Sequence, residues 1–151
     1  MFPGKLITIA GNSGAGKTTL AHELQRRGQF RLGLESHTDR PFQARLASGL
    51  RQFALPNQVD YLLRRAEQEL ELRSSPGIGL VDGGLEMDYW VFTRHFHDQG
   101  WLDADEFDLC RRFYTLARLL LPPPELIVWL QAPPALAEER MHARRRGIEV
   151  A

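Results

Sequence analysis

The residues with the clearest chemistry form a glycine-rich loop near the amino terminus. Residues 11–18 read Gly-Asn-Ser-Gly-Ala-Gly-Lys-Thr and satisfy the pattern G-x-x-x-x-G-K-[ST]. In such a loop backbone N–H groups converge on phosphate oxygens, the lysine reaches the β- and γ-phosphates, and the Ser/Thr hydroxyl holds Mg²⁺. The sequence therefore predicts a site for nucleotide phosphates that consists of Gly11, Asn12, Ser13, Gly14, Ala15, Gly16, Lys17, Thr18 and Thr19.

Carboxylates follow two of the strand-like runs. Asp82 ends the apolar run 78–82, from where it would hold Mg²⁺ together with Thr18, although a turn or helix cap would look the same. Glu35 follows the run 30–34 and would accept the proton of an acceptor hydroxyl, with Asp39 as a competitor. The alternative for Glu35 is an exposed loop carboxylate.

Arginines concentrate near the carboxyl end, at residues 140, 144, 145 and 146. The i, i+4 spacing predicts that Arg140 and Arg144 share one helix face, and Arg146 follows closely. Guanidinium groups suit phosphate, so the cluster predicts a clamp on a transferring phosphoryl group. A solvated, arginine-rich helix end is the alternative.

Two planar polar side chains share a side of the helix predicted over residues 57–73. Gln58 and Arg65 are seven residues apart, which is two helical turns. Such a pair could read the edge of a nucleobase, whereas the spacing alone favours a solvated polar stripe.

The elements that must position these residues alternate along the chain. Strand-like runs at 6–10, 30–34, 78–82 and 126–130 are separated by helical patterns. This alternation predicts an α/β fold of three layers, the phosphate-loop NTPase type, with a parallel sheet of four strands flanked by helices. Ligands gather beyond the carboxyl ends of such strands, where the loop, Glu35 and Asp82 fall.

Composition limits the remaining possibilities. A chain of 151 residues with 43% hydrophobic content predicts one domain over residues 1–151. Because Lys+Arg and Asp+Glu number 19 each, we expect no nucleic acid or membrane partner and a small-molecule substrate instead. One cysteine, Cys110, excludes a disulfide framework, and the absence of a long apolar stretch predicts a cytoplasmic protein.

Taken together, these motifs resemble those of the deoxynucleoside kinase family. The resemblance runs from Lys5 to Glu149. It combines the phosphate loop with a glutamate after the second strand, Gln-x6-Arg, an acid-ending strand followed by x5-Asp-x3-Phe, and a late Arg-x3-Arg-x-Arg-x2-Glu. Beyond the loop, the residues concerned are Glu35, Gln58, Arg65, Asp82, Asp88, Phe92, Arg140, Arg144, Arg146 and Glu149.

The resemblance implies transfer of a phosphoryl group from ATP or GTP, with Mg²⁺, to the 5′-hydroxyl of a nucleoside. By this similarity Glu35 is the base for that hydroxyl, and Arg144 and Arg146 are lid arginines over the phosphates. It also implies a homodimer. The residues that it assigns to the nucleoside are Gln58, Arg65 and Asp88 for the base and Glu149 for the sugar.

The chain also departs from the family pattern. The family's Glu-Arg-Ser after the third strand is Asp82-Gly83-Gly84 here, so an arginine expected near the reacting phosphate is absent. Unless another cation replaces it, we expect slow turnover or an unusual acceptor. The family's Glu-Pro is Glu35-Ser36, and the sequence stops at Ala151, before the expected final helix and fifth strand.

Two alternatives stay open at this point. One is a nucleoside monophosphate kinase of the thymidylate kinase type, or a kinase of another small hydroxyl compound. The other is a nucleotide-binding regulator or degenerate kinase without turnover, which Gly83 and the early stop favour.

Overall fold

The computed structural model describes residues 1–33 and 40–144. These residues form two compact units, which are treated separately below. The sheet unit contains residues 1–33, 72–83 and 124–144, and the helical unit contains residues 40–71 and 84–123. Compact units are not the same as independently folding domains, so the single domain over 1–151 stays a prediction.

Helices and strands alternate along the described chain. In chain order the elements are β1 (Gly4–Ala10), α1 (Lys17–Arg27), β2 (Phe30–Gly33), α2 (Pro41–Ala47), a 3-10 turn (Arg51–Phe53), α3 (Ala54–Arg73), β3 (Gly77–Asp82), α4 (Gly84–Met87), a π-helical segment (Asp88–Thr93), α5 (Arg94–Asp98), α6 (Ala104–Leu120), β4 (Leu126–Trp129) and α7 (Pro134–Arg144).

The four predicted strands form one parallel sheet in the order β2-β3-β1-β4. The predicted α/β fold with a flanked parallel sheet is therefore confirmed. The connections run to opposite edges of the sheet on either side of the β3–β1 pair, because β1 is followed by β2 at one edge and β3 is followed by β4 at the other. Ligands of open parallel sheets bind at this kind of switch point. Register places Asp82 directly beside Ile9, two residues before the glycine-rich loop.

The central strands of the sheet are apolar on both faces, as strands covered by helices must be. Leu6 and Ile9 of β1 and Leu80 and Val81 of β3 are all fully buried. Leu72, at the end of α3, packs on this sheet with Leu6 and Val81. Gly79 permits the approach, since a methyl group there would lie only 3.0 Å from the Leu72 side chain.

Glu125, the residue before β4, bonds Leu6 near the start of β1 through both its backbone and its side chain. Its backbone N–H donates to the Leu6 carbonyl (3.0 Å), and its carboxylate Oε2 accepts from the Leu6 N–H (2.6 Å). The same carboxylate accepts from Nη1 of the buried Arg73 (3.2 Å). Burial opposes ionisation of Glu125, but these donors outweigh it and lower the pKa of Glu125 below its ordinary value.

The helical unit has an apolar core between α3, the segment after β3, and α6. Its buried members are Leu62, Leu85, Tyr89, Cys110 and Ala117. The predicted helix over 57–73 is confirmed and begins three residues earlier, at Ala54. Burial raises the pKa of the Cys110 thiol to about 11, which makes it an inert core side chain.

Within residues 1–33 and 40–144, none of the helices combines the length and the hydropathy that a transmembrane span requires.

We expect Glu125→Gln to reduce the free energy of unfolding at pH 7 by about 1 kcal/mol, since the carboxylate is partly exposed and its charge partly screened. The pKa is lowered by folding, so the ionised carboxylate stabilises the fold at neutral pH and loses that effect as pH falls through its folded-state pKa. The difference from wild type should therefore shrink between pH 7 and about pH 3 in urea titrations.

Glu67→Gln, on the exposed side of α3, is the control and should change stability little at either pH. A difference for Glu125→Gln that stays constant with pH would contradict the role assigned to its charge.

Candidate functional site

The glycine-rich loop joins β1 to α1 through left-handed backbone conformations. Gly14 has φ 80° and Gly16 has φ 98°, values that disfavour any other residue. Gly16 precedes the first residue of α1, and no side chain caps that helix start. The first N–H groups of α1 thus lack a side-chain acceptor and point outward, which is the arrangement that binds phosphate at a helix terminus.

Lys17 extends back across the loop. Its Nζ donates to the carbonyl oxygens of Gly11 (2.8 Å) and Asn12 (3.0 Å). These two bonds hold the ammonium over the loop, where the backbone amides and the positive end of α1 also lie. The loop therefore concentrates positive charge and N–H donors in one place, and its binding of nucleotide phosphates stays a prediction.

Thr18 and Asp82 meet at the carboxyl ends of β1 and β3. The Thr18 hydroxyl donates to Oδ2 of Asp82, whose side chain is buried. The other carboxylate oxygen, Oδ1, is also buried and has no hydrogen-bond partner within the described residues. A buried oxygen of this kind beside a hydroxyl suits Mg²⁺, which prefers oxygen ligands.

The described residues contain no cluster of three His, Cys, Asp or Glu side chains that could hold a metal. Mg²⁺ in phosphoryl-transfer sites takes one or two protein ligands and completes its shell with phosphate and water. Thr18 and Asp82 are the residues here that fit the ion.

Helix α7 lies against the phosphate loop. Nη1 of Arg140 donates to the Gly14 carbonyl oxygen (3.2 Å). A methyl group at Gly14 would overlap the carbonyl of Ala137, so the two segments approach as closely as glycine permits. The structure therefore places a predicted phosphate-clamping guanidinium beside the loop. Arg144 ends α7, and its predicted role stays a prediction.

Several predicted residues lie outside the described parts of the chain. They are Glu35 and its competitor Asp39, the lid residue Arg146 with its neighbour Arg145, and Glu149. Their roles stay predictions.

In the helical unit the predicted base-reading residues are buried, and each has a side-chain hydrogen-bond partner. Arg65 Nε donates to Asp88 Oδ2 at 2.9 Å, and both side chains are only 5% exposed. Gln58 is 2% exposed and donates to Thr93. The solvated stripe that the spacing favoured is therefore wrong, because this side of α3 faces the segment Asp88–Thr93. Burial raises the pKa of Asp88, and Arg65 offsets only part of that effect.

Three residues of this cluster were not found from the sequence. Asn57 donates to Gln58, Thr93 donates to the Asp88 carbonyl, and Arg40 adds a second positive charge that acts on Asp88. The Thr93 contact depends on the wide π-helical turn, which brings residues five apart together. Asn57 could have been noticed from the sequence, because asparagine is unfavourable inside a helix unless its side chain is hydrogen-bonded, and it stands next to Gln58.

The backbone conformation after β3 explains why two glycines, Gly83 and Gly84, follow the strand. Gly83 has φ 88° and Gly84 has φ 74°, so both take left-handed conformations directly after β3. The Gly83 N–H donates to the Ile9 carbonyl (2.9 Å), which holds this path against β1. An arginine at position 83 would have to adopt a strained left-handed conformation. The backbone path after β3 therefore explains why glycine stands at this position.

Comparison with known proteins identifies what this arrangement resembles. The family model described as deoxynucleoside kinase matches residues 7–151. Among curated proteins, the chain is 21% identical to a deoxyadenosine/deoxycytidine kinase and 25% identical to a deoxyguanosine kinase, both from Bacillus subtilis, and 27% identical to a deoxyadenosine kinase from Dictyostelium discoideum. These alignments cover 96–99% of this chain and 68%, 71% and 59% of those relatives respectively.

Solved structures agree on the fold. A deoxyadenosine kinase from M. mycoides, with the products dCMP and a flexible dCDP bound, superposes with a TM-score of 0.83 at 22% identity. The same enzyme with bound dATP gives a TM-score of 0.80 at 22% identity. These matches cover 96% of this chain and 73% and 74% of those chains.

We expect Gly83→Ala and Gly83→Arg each to reduce the free energy of unfolding by about 1–2 kcal/mol, because both place a Cβ in a left-handed conformation. Urea denaturation of the purified variants measures this. The control is Glu67→Ala on the exposed side of α3, where the backbone is helical and a Cβ is already present, so its stability should change little. A Gly83→Ala variant at least as stable as wild type would contradict the backbone explanation.

Proposed function

This chain belongs to the deoxynucleoside kinase family, and we propose that it transfers the γ-phosphoryl group of ATP to the 5′-hydroxyl of a deoxynucleoside with Mg²⁺ as cofactor. Family membership makes it a nucleoside kinase-type phosphotransferase. The observation that supports the donor half of the proposal is the convergence of Lys17, Thr18 with Asp82, and Arg140 on one phosphate loop.

The donor phosphates bind at the loop. Lys17 and the amides around Gly14 and Gly16 hold them, while Arg140 adds a guanidinium from α7. Thr18 and Asp82 would hold Mg²⁺, which when bound would neutralise part of the phosphate charge. Arg140 also supports turnover despite Gly83, because it brings a cation to the loop from another element.

The transfer itself is an in-line displacement. The nucleoside 5′-oxygen forms a bond to the γ-phosphorus of ATP, the bond from that phosphorus to the β–γ bridging oxygen breaks, and ADP leaves. Glu35 takes the hydroxyl proton, as its place in the family pattern implies. Arg144 and Arg146 cover the phosphates, and Glu149 contacts the sugar.

The nucleobase is read in the helical unit by Gln58, Arg65 and Asp88. What supports this is their burial together with the hydrogen bonds of Arg65 to Asp88 and of Gln58 to Thr93, since polar groups held apart from water discriminate strongly between matched and mismatched partners. The three side chains offer both donors and acceptors, as recognition of a base edge requires.

A homodimer is part of the proposal. Helix α6 leaves Leu109, Leu116, Leu119 and Leu120 between 45% and 79% exposed, an apolar surface that a second copy of the chain would cover.

We expect ADP release from the wild-type protein to depend on an added deoxynucleoside, and Glu35→Gln to lower kcat about 100-fold or more while ATP binding is retained. Asp39→Asn is the matched control and should keep most of the activity. A panel of deoxynucleosides and their monophosphates, coupled to ADP detection, measures this.

Loss of activity in Asp39→Asn but not in Glu35→Gln would contradict the assignment of Glu35 as the group that takes the hydroxyl proton. Turnover with monophosphates but with no free deoxynucleoside would contradict the deoxynucleoside as acceptor and would favour a monophosphate kinase. ATP binding without turnover on any acceptor would favour a regulator.

We also expect Asp82→Asn to weaken binding of ATP about 10-fold in the presence of Mg²⁺ and to change it little in EDTA, because the carboxylate acts through the metal. Isothermal titration calorimetry with and without Mg²⁺ measures both. Asp105→Asn, exposed at the start of α6, is the control. Equal weakening of ATP binding with and without Mg²⁺ would contradict a metal-holding role for Asp82.

A further inference from the structure

Gln58 lies in a chain of three side-chain hydrogen bonds inside the helical unit. The Thr93 hydroxyl donates to the Asp88 carbonyl oxygen at 2.7 Å, and Gln58 Nε2 donates to Thr93 Oγ1 at 2.8 Å. Asn57 Nδ2 donates to Gln58 Oε1 at 3.1 Å. Thr93, Gln58 and Asn57 are 0%, 2% and 4% exposed, so water does not compete for these bonds.

The direction of the chain is set at Thr93. A hydroxyl carries one hydrogen, and a backbone carbonyl can only accept, so the hydrogen of Thr93 is used on Asp88. Thr93 Oγ1 can then only accept from Gln58. Turning the Gln58 amide by 180° would bring two acceptors, Oε1 and Oγ1, into contact, which a buried site penalises.

Asn57 does not set this direction. Its Oδ1 is buried and has no hydrogen-bond partner within the described residues, so the Asn57 amide has no second bond that holds its own orientation. Asn57 can turn together with Gln58, whereas the Asp88 carbonyl is fixed in the backbone. Thr93 is therefore the member that decides which way the amide of Gln58 faces.

A fixed amide distinguishes two classes of base edge. One N–H and one acceptor position of Gln58 remain after its bonds to Thr93 and Asn57, and their order is set. Adenine and cytosine present an amino donor next to a ring-nitrogen acceptor. Hypoxanthine, guanine and uracil present a keto acceptor next to a ring N–H, which is the reverse order. A freely turning glutamine fits both classes, but a fixed one fits only one.

We propose that Thr93 is a positioning residue for specificity: it holds the Gln58 amide in one orientation and so makes the base site discriminate amino-bearing from keto-bearing nucleobases. This inference rests on the proposed function in that Gln58 must face the base. It adds a residue, and a physical reason for selectivity, that Gln58, Arg65 and Asp88 alone do not supply.

The test compares two nucleosides that differ only at this edge. 2′-Deoxyadenosine and 2′-deoxyinosine share the purine ring and the sugar, and they differ in the 6-amino or 6-keto group and the adjacent ring nitrogen. Calorimetry of the whole chain gives the ratio of their dissociation constants without needing turnover. We expect a ratio of at least about 10 for the wild type, as for one reversed donor–acceptor pair.

Thr93→Val keeps the shape and removes the hydroxyl, so the ratio should fall towards 1 even if both nucleosides bind more weakly. Thr93→Ser restores the hydroxyl and should restore the ratio. The matched control is Thr115→Val on α6, whose exposed hydroxyl bonds only the Arg111 carbonyl of its own helix (2.8 Å) and whose loss should leave the ratio unchanged.

Equal binding of the two nucleosides by wild type, or a ratio that survives in Thr93→Val with a folded protein by circular dichroism, would overturn the inference and leave the kinase proposal intact. Absence of binding to these nucleosides and to deoxycytidine and deoxyuridine would overturn both. A ratio lost equally in Thr93→Ser would show that packing, not the hydroxyl, is responsible, and would also overturn the inference.

Discussion

The parallel pairing of β1 with β3 is the constraint on which the donor site depends. Its register sets Asp82 beside Ile9, and the glycine-rich loop that follows β1 returns to begin α1 next to the same carboxylate. The Thr18 hydroxyl, in the first turn of α1, then reaches Asp82 at the end of β3. A shift of register by one residue would turn Asp82 to the other face of the sheet and separate the two groups.

The same sheet unit also brings α7 to the loop. Gly14 has no side chain, and this absence lets the Ala137 backbone and the Arg140 guanidinium approach the loop backbone. The glycines of the loop thus serve two purposes. They give the loop backbone its left-handed path, which suits phosphate, and they leave room for a helix that carries arginine.

The helical unit holds several polar side chains in fixed positions away from water. An ion pair between Arg65 and Asp88 would be costly if either partner were missing, and an amide such as Gln58 needs neighbours that define its orientation. The π-helical turn after α4 supplies them by placing Thr93 over the Asp88 carbonyl. The π-helical backbone is thus what allows the side chains of Thr93 and Gln58 to be held in place.

The sequence predicted the strands, the glycine-rich loop between β1 and α1, and the placing of Thr18 and Asp82 at the same edge of the sheet, because each follows from a short pattern and from the geometry of parallel sheets. It did not predict the burial of Gln58, since helical spacing tells which residues share a side but not what that side packs against. Thr93 escaped detection because a contact at five residues fits no α-helical spacing. The reason for Gly83 also required the backbone, whose left-handed turn is not visible in the residue types.

We propose that a phosphoryl group passes from a nucleotide in the glycine-rich loop to the sugar hydroxyl of a nucleoside. Mass spectrometry with ATP that carries ¹⁸O in the non-bridging γ-oxygens follows this transfer atom by atom. We expect a deoxynucleoside 5′-monophosphate that holds all of that label. Label recovered only in inorganic phosphate, with the nucleoside unchanged, would contradict it.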